Sequence, residues 1–143
     1  MSGLQHLNPP GSAPPYKNLF SNVTVVPPGA KLAFVSSQWA SGPDGEMVAG
    51  GEGNYFIQAK QTWTNIMAIL KGLGCGVKDI VQKQVCFVEF SEEIGKQVVG
   101  GGLEAVGPEG EHFLKSSVRY AGYSHFHRPG VLYAVDLVVV VPN

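Results

Sequence analysis

The sequence has little cysteine, since only Cys75 and Cys86 occur among its 143 residues. Two cysteines are too few for the disulfide framework of a small secreted protein or for a four-thiolate zinc site. We therefore interpret both as small, buried apolar side chains in a reducing compartment. The scarcity of cysteine excludes a disulfide-stabilised scaffold.

An excess of charge of either sign is also missing. Ten lysines and arginines stand against eleven aspartates and glutamates, which gives a formal net charge of −1, and no run of like charges occurs. Nucleic-acid-binding domains usually carry a basic stripe or patch. The charge balance therefore predicts no nucleic-acid partner.

Long hydrophobic runs are absent as well. The apolar run at 137–141 is far too short to cross a bilayer, which takes about 20 residues. The first dozen residues contain neither the apolar core of a secretory signal nor the arginines of a mitochondrial one. These absences predict a cytoplasmic protein with no membrane partner.

What the sequence does contain fits a single globular domain over residues 1–143. Apolar residues make up 44%, and the 19 glycines and 10 prolines imply many short elements joined by tight loops. Four of the prolines lie within residues 1–18, where Lys17 is the one charged side chain. This segment is predicted to be an extended N-terminal arm.

Apolar spacing predicts two helices of unequal quality. Between residues 54 and 73 apolar side chains recur at three- and four-residue steps, which is typical of a helix, and Asn54 is suited to be its N-cap. A second helix can begin at Ser91. Glycines at 95 and at 100–102 each cost about 1 kcal/mol relative to alanine, so this helix is predicted to be broken or short.

Stretches rich in β-branched and aromatic residues predict the strands. These strands are expected at 23–26, 32–39, 46–48, 81–90, 116–123 and 131–141. A helix between strands, with antiparallel hairpins at both ends, indicates an α+β sandwich with two helices on one face of a mixed β-sheet.

Arginine is the scarcest charged residue type in the sequence, since only Arg119 and Arg128 occur. Arg128 lies in a predicted turn, whereas Arg119 lies inside a predicted strand, and its planar fork matches a carboxylate. Asp136 is the one acid in an otherwise apolar final strand, and a turn at 128–130 that closed a hairpin would bring it near Arg119. Two interpretations stay open: an internal ion pair, or an anion-binding arginine beside a carboxylate that orients it or a water molecule.

Other chemistries have weaker support in the sequence. His125 and His127 lack acidic or cysteine partners at metal-ligand spacing. A triad of Ser36, His125 and Asp136 would lack the Gly-x-Ser-x-Gly turn that usually presents a nucleophilic serine. The glycines at 100–102 lack the lysine of a phosphate-binding loop. The sequence therefore predicts neither a metal nor a cofactor.

Several stretches follow one family pattern: Phe20-Ser21-Asn22, the strand at 32–38, Gly45-Glu46-Met47-Val48, the helix at 58–74 and the segment 79–88. Arg119 stands where that pattern keeps a substrate-binding arginine, ahead of a closing β-hairpin. Over residues 20–141 the chain thus resembles the reactive intermediate deaminase family, also called Rid or YjgF-like, whose members are also labelled L-PSP endoribonucleases.

The resemblance implies a chorismate-mutase-like (YjgF-like) α+β fold and a homotrimer with active sites in the clefts between subunits. Enzymes of the family hydrolyse 2-imino acids, such as 2-iminobutanoate and 2-iminopropanoate, to 2-oxo acids and ammonia without a cofactor. Carried over to this sequence, Arg119 binds the carboxylate of a small-molecule substrate. Other implied substrate-binding residues are Phe20 (or Tyr16) at the aromatic position and Ser36, Ser37 and Ala121 along the cleft.

The sequence departs from the family pattern at the water-orienting glutamate, which corresponds to Ala134. Asp136 lies two residues further on, on the same strand face, and is the acid available to replace it. The resemblance therefore implies catalytic roles for Arg119 and Asp136 in cofactor-free hydrolysis of imines or enamines that carry a carboxylate. The alternatives are a non-catalytic trimer that binds small carboxylates, or a divergent family member in a biosynthetic pathway. A ribonuclease fits least, because the basic residues are scattered singly.

Overall fold

The computed structural model describes residues 3–143, so Met1 and Ser2 of the predicted arm lie outside the described residues. The described chain contains six strands, two long helices and one single-turn helix. In order they are β1 (Gln5–Leu7), β2 (Val23–Val25), β3 (Lys31–Gln38), α1 (Tyr55–Gly72), β4 (Ile80–Phe87), α2 (Glu92–Val106), α3 (Gly110–Phe113), β5 (Ser117–Gly122) and β6 (Tyr133–Val141). No helix within residues 3–143 is long and apolar enough to cross a membrane.

Four strands form one mixed sheet in the order β3-β6-β4-β5. β6 pairs antiparallel with both β3 and β4, whereas β5 runs parallel to β4 at the sheet edge. Every second residue of β6 is buried in a core that also contains Trp63 and Leu70 of α1 and Val98 of α2. The predicted α+β architecture, with two helices on one face of a mixed sheet, is confirmed.

The N-terminal part of the chain forms a small structure of its own. β1 pairs antiparallel with β2, with His6 opposite Thr24. The predicted arm therefore contributes a strand, and it ends in a 3₁₀ turn over Tyr16–Asn18. The predicted strand at 46–48 is wrong, because that segment makes only one isolated bridge, between Ser41 and Met47.

The first predicted helix is confirmed nearly to its ends. Asn54 is the N-cap, since its Oδ1 accepts a hydrogen bond from the backbone N–H of Ile57 at 2.9 Å. After Leu73, Gly74 takes the positive φ of 74° that ends many helices. The helix therefore begins and ends where its capping residues stand.

The prediction that the second helix is broken or short is wrong, because α2 runs unbroken over 15 residues. Its glycines allow α1 and α2 to approach closely. A Cβ at Gly101 would overlap the backbone oxygen of Phe56 and lie 3.0 Å from the nitrogen of Lys60, and one at Gly102 would lie 2.5 Å from the ring of Phe113. Close helix packing therefore outweighs the weak helix propensity of glycine here.

Substituting Gly101 tests this packing. We expect Gly101→Ala to lower the free energy of unfolding by about 1–3 kcal/mol, because the new methyl group meets backbone atoms that cannot move aside cheaply. Gly72→Ala is the matched control, since a Cβ at Gly72 meets nothing within 4 Å, and it should not destabilise the protein. Urea unfolding of both variants measures the difference, and equal stabilities would contradict the close-packing explanation.

Candidate functional site

The predicted hairpin between β5 and β6 is wrong, because β4 lies between these strands. Gln84 of β4 is the register partner of both Arg119 in β5 and Asp136 in β6. The three residues therefore form a row across the sheet, on the face opposite the helices, which we call the open face. Since neighbouring strands lie about 4.8 Å apart, the Cα atoms of Arg119 and Asp136 are separated by about 10 Å.

Arg119 is exposed, and most of its hydrogen-bond donors are free. Its Nη1 donates to Oε1 of Gln84 over a long 3.4 Å, and no carboxylate in residues 3–143 lies within ion-pair distance of it. A guanidinium carries five N–H donors. The internal ion pair with Asp136 therefore does not form within the chain, and the arginine is available to an external anion.

Asp136 is half-buried, and its carboxylate has no hydrogen-bond or ion-pair partner among the described residues. Burial raises the pKa of this carboxyl group, while the positive charge of Arg119 partly opposes that rise. A carboxylate with free oxygens and a raised pKa is suited to take a proton from water.

Gln84, which the sequence alone did not single out, lies between the two charged residues in the row. Its Oε1 faces Arg119, and its Nε2 lies 3.8 Å from Sγ of Cys86. Burial raises the pKa of the Cys86 thiol, which also contacts the Tyr123 hydroxyl. One signal for this arrangement is present in the sequence: Gln82 and Gln84 are two residues apart in β4, so both amides lie on one face.

Ser36 and Ser37 lie in an irregular part of β3. Val35 pairs with Leu137 and Gln38 with Val135, so β3 has one residue more than β6 over this stretch. Such a bulge bends the strand and re-aims its side chains. Both serines are exposed, and they lie beside the β6 stretch that contains Asp136, with β6 and β4 between them and Arg119.

Phe20 and Ala121 lie at a different place, in the wall of a cavity of about 710 Å³. The cavity is lined by the turn at Tyr16–Asn18, by residues 87–90 at the end of β4, by α2 and by the end of β5. The ring of Phe20 meets Tyr120 edge to face, with the ring centroids 6.3 Å apart. The structure thus divides the predicted site residues into the open-face row, with the two serines nearby, and the cavity.

The histidines that the sequence analysis considered lie in the loop before β6. His125 Nδ1 is 3.2 Å from the hydroxyl of Ser124, and the ring of His127 meets Trp39 edge to face. Within residues 3–143 no three His, Cys, Asp or Glu side chains lie close enough together to hold a metal ion. Arg128 in the same loop pairs with Glu46 and stacks on Trp39, so its role is structural.

The fold and the row together define a class of protein: an α+β domain whose open face presents an unpaired arginine, an amide and a half-buried carboxylate, an arrangement suited to a small anion. The chain is 31% identical to a RutC family protein of Synechocystis sp. over 112 residues. This alignment covers 77% of this chain and 78% of that protein. The chain therefore belongs to the RutC/Rid (YjgF-like) family, as the sequence predicts.

Solved structures show the same fold at low sequence identity. YyfB from Yersinia pestis, a protein of the conserved Rid family, matches with a TM-score of 0.80 at 17% identity, over 96% of this chain and 98% of that chain. RidA from an Antarctic Psychrobacter species matches with a TM-score of 0.61 at 15% identity, over 77% and 80%. A scan of protein-family models matches none of them to this sequence.

Proposed function

We propose that the protein is a cofactor-free hydrolase that deaminates imines or enamines carrying a carboxylate, such as 2-iminobutanoate or 2-iminopropanoate. The products are a 2-oxo acid and ammonia. The row of Arg119, Gln84 and Asp136 carries the proposal, because it places a free cation and a free carboxylate on either side of an amide. Membership of the Rid family supports the reaction class.

Arg119 is the residue that binds the substrate carboxylate in this proposal. Its fork donates two parallel, charge-assisted hydrogen bonds to a carboxylate, which fixes the direction of the bound molecule as well as holding it. Gln84 holds the guanidinium from the neighbouring strand. A bound imino acid then points its reacting carbon along the row, towards Asp136.

Asp136 acts on the water in this proposal. As the carboxylate takes a proton, the water oxygen bonds to the imine carbon and the C=N π electrons move to nitrogen. Asp136 passes this proton to the nitrogen, which gives a neutral carbinolamine. Asp136 then takes the proton of the new hydroxyl group and passes it to the same nitrogen, so that the C–N bond breaks as the C=O bond forms, ammonia leaves and a 2-oxo acid remains. Ala134 cannot serve instead, because it is buried and carries no ionisable group.

The open face supports assembly into a homotrimer with sites between subunits. Phe34 is 77% exposed and Leu32 is 42% exposed on this face of β3, which are large fractions for apolar side chains on a sheet. A neighbouring copy over the face would cover them and exclude water from the row.

Both cysteines are free thiols, which supports a reducing compartment such as the cytoplasm.

We expect a mass of about 45 kDa in solution, three times the 15.2 kDa of one chain, closed by rotational symmetry. Phe34→Asp should lower the mass, because it places a charge in the covered face. The control Val23→Asp lies on β2, outside the sheet face, and should leave the mass unchanged. Light scattering at micromolar concentration decides, and a parent protein with the mass of one chain would contradict the proposal.

The hydrolase proposal is tested with an imine made in place. An amino-acid oxidase generates the 2-imino acid, semicarbazide traps it, and an imine hydrolase removes it before it is trapped. We expect the protein to slow semicarbazone formation in proportion to its concentration, also after dialysis against a chelator. Tight binding of 2-oxo acids with unchanged trapping would support the non-catalytic carboxylate-binding alternative instead.

A further inference from the structure

The cavity beside β5 is lined by many residues besides Phe20 and Ala121, the two that the family resemblance assigns to substrate binding. Its walls are mostly aromatic and aliphatic. The principal members are Tyr16, Phe20, Phe87, Phe90, Val99 and Tyr120. Phe87 stacks on Tyr120 with centroids 6.2 Å apart and meets Phe90 edge to face at 5.4 Å, so the Phe87 ring contacts both of these neighbours.

The charged residues of the cavity lining are two lysines and two glutamates, Lys17, Lys96, Glu89 and Glu92, whose charges balance. Lys17 Nζ lies 2.6 Å from a carboxylate oxygen of Glu92, and Lys96 Nζ lies 4.0 Å from the same oxygen. The interior therefore offers apolar surface and aromatic rings, while the ions stay at the mouth. This arrangement suits the apolar body of a ligand and does not suit its charged group.

The backbone at the mouth is held in an uncommon conformation. Lys17 and Asn18 are consecutive non-glycine residues with φ values of 50° and 56°. Left-handed backbone is uncommon at non-glycine residues, asparagine being one of the more frequent exceptions, and strained positions of this kind cluster at functional sites. Here it turns the chain so that Tyr16 and Phe20 both face the cavity.

The cavity wall ends two residues from Arg119, the arginine proposed to bind the carboxylate. Ala121 lies on the open face, two residues from Arg119, whereas Tyr120 and Gly122 lie on the helix side, and all three line the cavity. β5 is the edge strand of the sheet, so Ala121 brings the cavity wall to the face that carries Arg119, although Arg119 itself is not part of the lining. Two residues of strand span about 6.6 Å, a distance that a long side chain and a ligand can bridge.

We infer that the cavity receives the apolar side chain of the substrate, and that the protein favours 2-imino acids with a large aromatic side chain over four-carbon ones. The inference rests on the proposed function, since Arg119 supplies the charged end of the site. A volume of about 710 Å³ lies within the roughly 300–1,000 Å³ typical of pockets for drug-sized ligands. A methyl or ethyl group would leave most of it empty.

The test compares two stable 2-oxo acid products, phenylpyruvate and 2-oxobutanoate, by calorimetric titration. We expect the parent to bind phenylpyruvate at least about tenfold more tightly than 2-oxobutanoate, because the phenyl ring moves from water into the apolar cavity. Val99→Phe fills the cavity from α2, at a half-buried position outside the main core, and should bring the ratio of the two affinities close to one. Val25→Phe makes the same change on β2 and should keep the ratio of the parent.

The outcomes separate the inference from the function on which it rests. Binding of 2-oxobutanoate as tight as that of phenylpyruvate in the parent would overturn the inference and leave the proposed function standing. Binding of neither acid would overturn both. A change of oligomeric mass in Val99→Phe with an unchanged affinity ratio would overturn the inference, because a neighbouring copy would then fill the cavity.

A second measurement needs no substitution. Indole is apolar and has no carboxylate, so in the parent it should compete with phenylpyruvate for the cavity and leave 2-oxobutanoate binding unchanged. Competition with both acids, or with neither, would overturn the inference even where Val99→Phe fails to fold.

Discussion

Asp136→Asn should slow the hydrolysis of a 2-imino acid by roughly 100-fold or more while leaving product affinity nearly unchanged. A positioned general base typically contributes about 10²- to 10⁴-fold to the rate, and asparagine keeps the shape of the side chain while losing the ability to take a proton. The semicarbazide-trapping assay measures the rate, and titration with 2-oxobutanoate measures binding. Asp44→Asn, the same change in an exposed loop, is the control.

The pH dependence gives this prediction a second readout. The base acts when deprotonated, so kcat of the parent should fall as the pH drops through the pKa of Asp136. Burial raises that pKa, so the fall should lie above the usual range of aspartate, which is about 3.9. An Asp136→Asn variant with the rate and the pH profile of the parent would show that another group handles the water.

Arg119→Lys should lower both product affinity and kcat/KM by roughly 10- to 150-fold. Lysine keeps the positive charge but loses the planar fork, and a charge-assisted hydrogen bond is worth about 1.5–3 kcal/mol. Titration with 2-oxobutanoate and the trapping assay measure the two quantities.

The stability of the same variant separates binding from structure. Arg119 is exposed and makes one long hydrogen bond, to Gln84, so its replacement should change the free energy of unfolding by no more than about 0.5 kcal/mol. A large drop in melting temperature with unchanged ligand affinity would instead give Arg119 a structural role.

The sequence predicts elements whose signals are local. The apolar spacing and Asn54 predict α1 because a helix is stabilised by its own cap and by one apolar face. Local signals do not predict α2, because Gly101 and Gly102 weaken the helix by themselves. They stabilise the fold by leaving space for the backbone of Phe56 and the ring of Phe113. Nothing in the local sequence reports where those partners lie.

The strand order and the candidate row could not be predicted for a related reason. A turn at 128–130 predicts a hairpin, but β5 instead pairs parallel with β4, a contact between segments separated by α2. Gln84 therefore belongs to a strand, β4, that is distant in the chain from the strands of Arg119 and Asp136. The sequence singled out Arg119 and Asp136 because they are rare charged residues in their strands. The distance between them depends on the pairing of β4 with β5 and β6, which only the structure shows.

The buried amine of Lys83 is a further feature that sequence spacing does not reveal. It is 4% exposed, on the core face of β4, and donates to the carbonyl oxygen of Phe113 and the hydroxyl of Ser116. Burial lowers the pKa of Lys83 to about 7. It lies on the face of the sheet opposite the row, so we assign it to the core.

The most direct test of the central claim, that Arg119 binds the carboxylate of the substrate, is a cycle of four titrations. The parent and Arg119→Met are each titrated with 2-oxobutanoate and with its uncharged amide, 2-oxobutanamide, which isolates the pairing of arginine with carboxylate. We expect the parent to bind the acid about tenfold or more tightly than the amide, and Arg119→Met to bind the two alike. A preference for the acid that survives in Arg119→Met would contradict the claim.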